Sequence, residues 1–150
     1  MPVLLLLALL SAQDTHQAGV NARGDQTMGF SHEKTTHHFE LRKDGGAIQV
    51  AATGPNDAAS RDQIRMHLQH IVSMFAAGNF DAPMLIHGRN VPGTATMARL
   101  KHQIRYQAHE TEQGAEVTMV TDNREALAAI HKFLKFQIKD HQTGDPPRVK

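Results

Sequence analysis

The stretch THHFELRKDGGAIQV, residues 36–50, decides the fold. His37, Phe39 and Leu41 alternate with His38, Glu40 and Arg42, the period of two expected of a half-buried strand. Lys43-Asp44-Gly45-Gly46 then supplies turn chemistry, and Ile48 and Val50 resume the alternation. This pattern predicts a β-hairpin. Gly54-Pro55-Asn56-Asp57 ends it, and from Ser60 onward Ile64, Leu68, Ile71, Val72 and Phe75 recur at helical spacing up to Gly78.

The same grammar returns further along the chain. Ile104, Tyr106 and Ala108 alternate, Glu112-Gln113-Gly114 turns, and Val117 and Met119 alternate again. Thr121-Asp122-Asn123 caps a second helix whose apolar stripe is Leu127, Ile130, Leu134 and Ile138. Gly46-Ala47-Ile48-Gln49-Val50, ending at Thr53, matches Gly114-Ala115-Glu116-Val117-Thr118, ending at Thr121, so the order is ββα-ββα. Neither unit can bury its apolar face alone. The expected fold is an α+β two-layer sandwich, a four-stranded antiparallel sheet with both helices on one face. The pattern does not fix the strand order.

Around this repeat, residues 30–145 read as a single α+β domain and 146–150 as a tail. Val3 to Leu10 is an unbroken apolar run followed by Ser11-Ala12-Gln13, the shape of a secretory core and cleavage zone. Residues 1–13 therefore read as a signal peptide and the protein as periplasmic or secreted. The run is too short to span a bilayer, so no stable membrane insertion is expected. Residues 14–29 are polar and without period and read as a flexible leader, in which Arg23-Gly24-Asp25 has the form of an adhesion tripeptide by chance. Asn79 to Arg99 reads as a long loop whose segment Asp81 to Gly88 packs over the domain as a lid.

Composition narrows the chemistry. In 150 residues, 16 Lys+Arg stand against 15 Asp+Glu, so no charge field attracts a nucleic-acid backbone. The absence of Cys excludes disulfides, thiolate zinc sites and Cys-ligated iron-sulfur clusters. Eleven His and seven Met remain as the soft or borderline metal ligands.

On the first helix His67 and His70 lie three apart and Met74 four beyond, so the three share a face bordering the apolar stripe. On the first strand His37, in step with Phe39 and Leu41, points toward the layer that this helix covers, while His38 points away. His37, His67 and His70 thus form the candidate ligand set, with Met74, or His87 and Met84 of the lid, available to complete it. The bland alternative is a core histidine bonded to a carbonyl and two boundary histidines reaching solvent. His131 on the second helix and His141 one turn past it either feed the same interior site from the other half or, the favoured reading, serve as packing and capping residues. His32-Glu33-Lys34-Thr35-Thr36-His37 resembles a zinc-protease motif but has one residue too many between its histidines.

Met28-Gly29-Phe30, Thr36-His37-His38-Phe39, His67-Leu68-Gln69-His70-Ile71, His87-Gly88, Ala129-Ile130-His131-Lys132-Phe133-Leu134 and His141-Gln142-Thr143-Gly144-Asp145 together resemble a group of small secreted bacterial His-rich proteins of unknown function. Some of these carry the label aspartate carbamoyltransferase. This chain has neither the Ser-Thr-Arg-Thr phosphate turn of the catalytic chain nor the cysteines of the regulatory chain, so the resemblance implies export and a histidine pattern, and no activity.

Three functional readings follow. The first is an exported His/Met domain that binds a metal ion or haem, with copper the leading ligand. The second is a small enzyme that uses a partly buried His pair with Glu40 or Glu110 for acid/base chemistry, although no nucleophile motif or phosphate loop accompanies them. The third is a protein-binding module gated by histidine protonation.

Overall fold

Both hairpins form. In the computed structural model, which describes residues 2–150 and side chains from residue 12 onward, β1 (Thr35–Arg42) and β2 (Gly45–Ala52) pair antiparallel across the turn Lys43-Asp44. β3 (Arg105–Thr111) and β4 (Gly114–Val120) do the same across Glu112-Gln113. The second strands of the hairpins then pair antiparallel with each other, giving the order β1-β2-β4-β3.

This arrangement is pseudo-two-fold, and its register relates Gly45 to Gly114, His37 to Tyr106 and Val50 to Met119. The sequence pattern had set Gly46 against Gly114, one residue out of step. A slip of one would turn every side chain of the strand to the other face, and the buried set Ile48, Val50, Val117 and Met119 fixes the register instead. The two related glycines answer the same need. A Cβ on Gly45 would lie 1.7 Å from the Met119 carbonyl oxygen, and one on Gly114 would lie 2.1 Å from the Val50 carbonyl oxygen.

Helices α2 (Ala58–Ala76) and α5 (Arg124–Asp140) cover one face of the sheet. Each starts at a side chain that accepts an otherwise orphaned helical N–H: Asp57 from Ser60 and Asn123 from Ala126. Their buried faces, Ile64, Leu68 and Phe75 on α2 and Ile130, Phe133 and Leu134 on α5, join Phe39, Leu41, Ile48 and Val117 in one core. The two-layer α+β sandwich is therefore as the sequence predicts. On the other face, Arg42 bridges Glu40 and Glu116, each at 3.2 Å, and Gln49 donates to Glu116 at 2.9 Å.

Two segments differ from expectation. The long connection contains two short helices, α3 (Asp81–His87) and α4 (Thr94–Arg99), because Ala82, Ile86, Val91 and Met97 bury apolar surface that a free loop would expose. The stretch read as a flexible leader belongs to a helix, α1 (Pro2–Met28), which packs on α3 and buries Val20. A Cβ on Gly24 would meet Met28 Cε at 3.2 Å and Ile86 Cγ2 at 4.0 Å, and Arg23 Nε donates to the Ile86 carbonyl at 2.9 Å. Asp25 accepts from the His32 ring, so Arg23 and Asp25 are both engaged within the fold. The apolar run Val3–Leu10, read as an export signal, lies outside the residues whose side chains are described. Among the described residues no helix is long and apolar enough to cross a membrane.

The tail is not loose either. Asp145 accepts the Phe39 N–H at 3.0 Å, and the Lys150 N–H reaches the Leu41 carbonyl at 3.4 Å, which covers part of the outer edge of β1.

Candidate functional site: a histidine cavity behind a polar groove

The inward alternation of β1 delivers His37 to the helical layer, and α2 sets His67 opposite it. Between them lies a cavity of about 70 Å³, walled by apolar side chains that include Phe39, Ile48, Leu68, Ile71, Phe75 and Phe133. Four histidines line it: His37, His67, His87 from the end of α3, and His141 from the C-cap of α5. Met28, at the end of α1, also lines it.

The rings are ordered by stacking. His37 and His141 lie parallel, 1° apart in plane angle with centroids 5.7 Å apart, and Phe30 contacts His37 at 6.1 Å and His67 at 5.6 Å. Burial holds the His37 imidazole down to about 4, aided by its neighbours His67 and His38. Burial likewise lowers His67 to about 4, with His70 adding to it, and His141 to about 3, with His37 and His87 adding to it. At neutral pH all three are uncharged imidazoles. Among the described residues no hydrogen bond reaches any of their ring nitrogens, and Nε2 of His37 is fully buried without a partner.

His87 is different. Its Nδ1 donates to the Asp140 carboxylate and its Nε2 lies 2.9 Å from Oε1 of Gln137, so both nitrogens are occupied. Asp140 also receives His16 at 2.9 Å and Arg89 at 3.0 Å, and thereby ties α1, α3 and α5 together. Burial opposes ionisation of this carboxyl, but the hydrogen bonds from His87 and His16 outweigh it and hold Asp140 below its ordinary range.

Of the residues read from the sequence, His37, His67 and His87 meet at the cavity, whereas His70 and Met74 do not. His70 sits on the solvent side of α2 and is exposed. Met74 packs half-buried against the edge of the core, away from the cavity. An i, i+3 pair shares a broad helical face, but only the flank next to Leu68 and Ile71 touches the sheet layer. Met84 is half-buried beside the core and also off the cavity, and Met97 is a core residue. His131 lies within 2.9 Å of the Arg42 carbonyl and 3.0 Å of the Gly45 carbonyl, where it secures the first hairpin turn. His141 and Met28 were not in the sequence-based set. The signal that would have found His141 is the run of polar residues Gln137, Asp140 and His141 continuing a buried helix face.

Glu40 is paired with Arg42 and Lys150, and exposed Glu110 with Arg65. Neither lines the cavity, so neither can serve a histidine there as an acid/base partner. Among the described residues no three His, Asp or Glu are placed to hold one metal ion, so a four-coordinate site of the zinc kind is not built here. A cavity of about 70 Å³ also has no room for haem, since organic ligand pockets begin at roughly 300 Å³.

A second compartment adjoins the first. A polar groove of about 430 Å³ is lined by Gln17 and Asn21 of α1, His32, Thr36 and His38 around β1, and Gln142 after α5. It shares His37 and His141 with the inner cavity, so the stacked pair forms the wall between them. No protein-family model, curated protein or solved structure matches this chain.

Proposed function

We propose that the protein is a binding protein for a single soft monovalent metal ion, Cu(I), held in the inner cavity by His37 and His67 with the Met28 thioether beside them. The observation that carries this reading is the buried, unpartnered Nε2 of His37, a residue that lines the cavity with two further uncharged imidazoles. An orphaned buried polar atom costs about 1–3 kcal/mol, and a ligand would repay it.

Size and chemistry select the class. About 70 Å³ is less than half of the roughly 150 Å³ cavity that admits benzene. Imidazole and thioether donors without a carboxylate suit an ion of low charge and low coordination number, and thioether donors favour Cu(I) over harder divalent ions. Apolar walls would also keep water off such an ion.

The test is an anaerobic titration of Cu(I) against a chromophoric chelator. The expected outcome is one equivalent bound more tightly than micromolar. His37→Ala and His67→Ala should each weaken binding by about tenfold or more, while His70→Ala leaves it unchanged. Absence of tight binding, or an equal loss in His70→Ala, overturns the assignment.

A further inference from the structure

We infer that the outer groove is a capture site for the same ion, in which His32 and His38 take up Cu(I) and pass it across the His37–His141 wall. The inference rests on the reading of the inner cavity and adds a second site with a kinetic role.

The two groove histidines are built alike. His32 Nδ1 faces Asp25 at 3.0 and 2.9 Å, and His38 Nδ1 faces Asp145 at 3.0 Å. Each carboxylate is itself anchored, Asp25 by the His32 N–H at 2.7 Å and Asp145 by the Phe39 N–H at 3.0 Å and the Thr143 hydroxyl at 2.6 Å. A carboxylate that accepts the Nδ1 proton fixes the tautomer. The lone pair is left on Nε2, which is the outer-shell arrangement that orients histidine ligands toward metals.

Among the described residues neither Nε2 is hydrogen-bonded, and both rings are more than a third exposed. They can therefore be reached from solvent, whereas His37 Nε2 cannot.

The geometry also supplies a path. His37 and His141 line both compartments, so an ion held in the groove is next to the ring that bounds the cavity. Passage is ligand exchange only. A bond from Cu(I) to an outer Nε2 breaks as one to His37 Nε2 forms, with no change in oxidation state and no proton released, because each bond is made to a nitrogen lone pair.

The experiment is stopped-flow transfer of Cu(I) from its chelator complex to the full chain, with the equilibrium affinity measured in parallel. The double variant His32→Ala/His38→Ala should slow transfer by about fivefold or more and leave affinity within about twofold, while His37→Ala should lose affinity. His109→Ala, on the exposed edge strand, is the control and should change neither. Thermal melts confirm that each variant is folded. Wild-type transfer rates in the double variant, with affinity intact, overturn the capture role and leave the inner site standing. Equal losses of affinity in the double variant and His37→Ala would place the ion in the groove and overturn the two-site scheme. Failure of the wild-type chain to bind Cu(I) removes both readings.

Discussion

The two halves of the sheet are related residue by residue, yet only the first lines the histidine cavity. His37 and Tyr106 occupy equivalent positions, and each carries a buried polar atom without a partner, Nε2 in one and the phenolic oxygen in the other. Tyr106 packs edge-on against Phe75 at 5.8 Å, in a region filled further by Phe80 and Phe133, and it does not line the histidine cavity. His37 instead faces a cavity with three other histidines. An orphaned polar atom is therefore only a cost until space and matching chemistry surround it. The second half bears the cost, and the first half has both.

The comparison breaks most severely at the glycines that allow the halves to join. Gly45→Ala and Gly114→Ala would each drive a methyl into the carbonyl of the related partner strand residue. We expect each to cost several kcal/mol, about the size of the largest single-residue effects, and to leave little folded protein in a far-UV melt. If one variant folds normally and the other does not, the two-fold relation at the β2–β4 seam is not what holds the sheet together.

Acid should expose the difference next. In the ion-free protein, His37, His67 and His141 have folded-state values of about 4, 4 and 3, below the ordinary 6.5. Their contribution to stability is complete above pH 6.5, declines as the unfolded chain takes up protons below it, and is exhausted near pH 4 to 3. The slope is up to about 1.4 kcal/mol per pH unit for each group. Asp140 and Asp145, lowered from 3.8, begin to matter only at the bottom of this window. Chemical denaturation at pH 7, 6 and 5 should show a steady loss that His37→Phe makes shallower. A flat profile would mean that these imidazoles are not held neutral by burial.

A matched pair of substitutions sharpens the contrast. Tyr106→Phe removes an orphan hydroxyl, and His37→Phe removes an orphan nitrogen while keeping a ring. Replacing an unsatisfied buried polar group by an apolar group of similar shape is neutral to stabilising, by about 1 kcal/mol. Both variants should therefore melt at or above the wild-type temperature, and only His37→Phe should lose copper. Destabilisation by Tyr106→Phe would show that the hydroxyl has a partner.

The sequence made the scaffold legible because each hairpin alternates strictly and each helix has a side-chain cap and an apolar stripe. It also placed His37 and His67 correctly, since strand and helix periods determine which way those side chains point. What it hid has a common cause. His141 lies beyond the apolar stripe of α5 and Met28 ends a helix whose last turns are polar, so neither stands in the apolar pattern by which a buried face is read. Both are brought to the cavity by tertiary contacts: α1 through Arg23 and His16, and the α5 end through Asp140. His70 was the converse error, a residue with the right spacing on the wrong flank of its helix.

The smallest expected effect lies at the ends of α2 and α5, which close in the same way with different residues. Gly78 and Gln142 both follow the C-cap with positive φ, 78° and 54°. In each case the next N–H bonds back to a helical carbonyl, Asn79 to Met74 at 2.8 Å and Thr143 to Ile138 at 3.2 Å. Glycine takes this left-handed conformation without penalty, whereas a residue with a Cβ gives up roughly 1–2 kcal/mol. Glycine's greater freedom in the unfolded chain returns about 0.4–1 kcal/mol of that. Gln142→Gly should therefore stabilise the protein by about 0.5–1 kcal/mol, a rise of roughly 1–4 °C in melting temperature for a chain of this size. Gln142 also lines the outer groove, so the same variant asks whether its side chain has a use there. A gain in stability with unchanged copper transfer makes Gln142 a tolerated departure from the glycine at Gly78. A gain in stability with slower transfer means that the strain is retained for the groove. A loss of stability means that its side chain contributes more to the fold than its backbone costs.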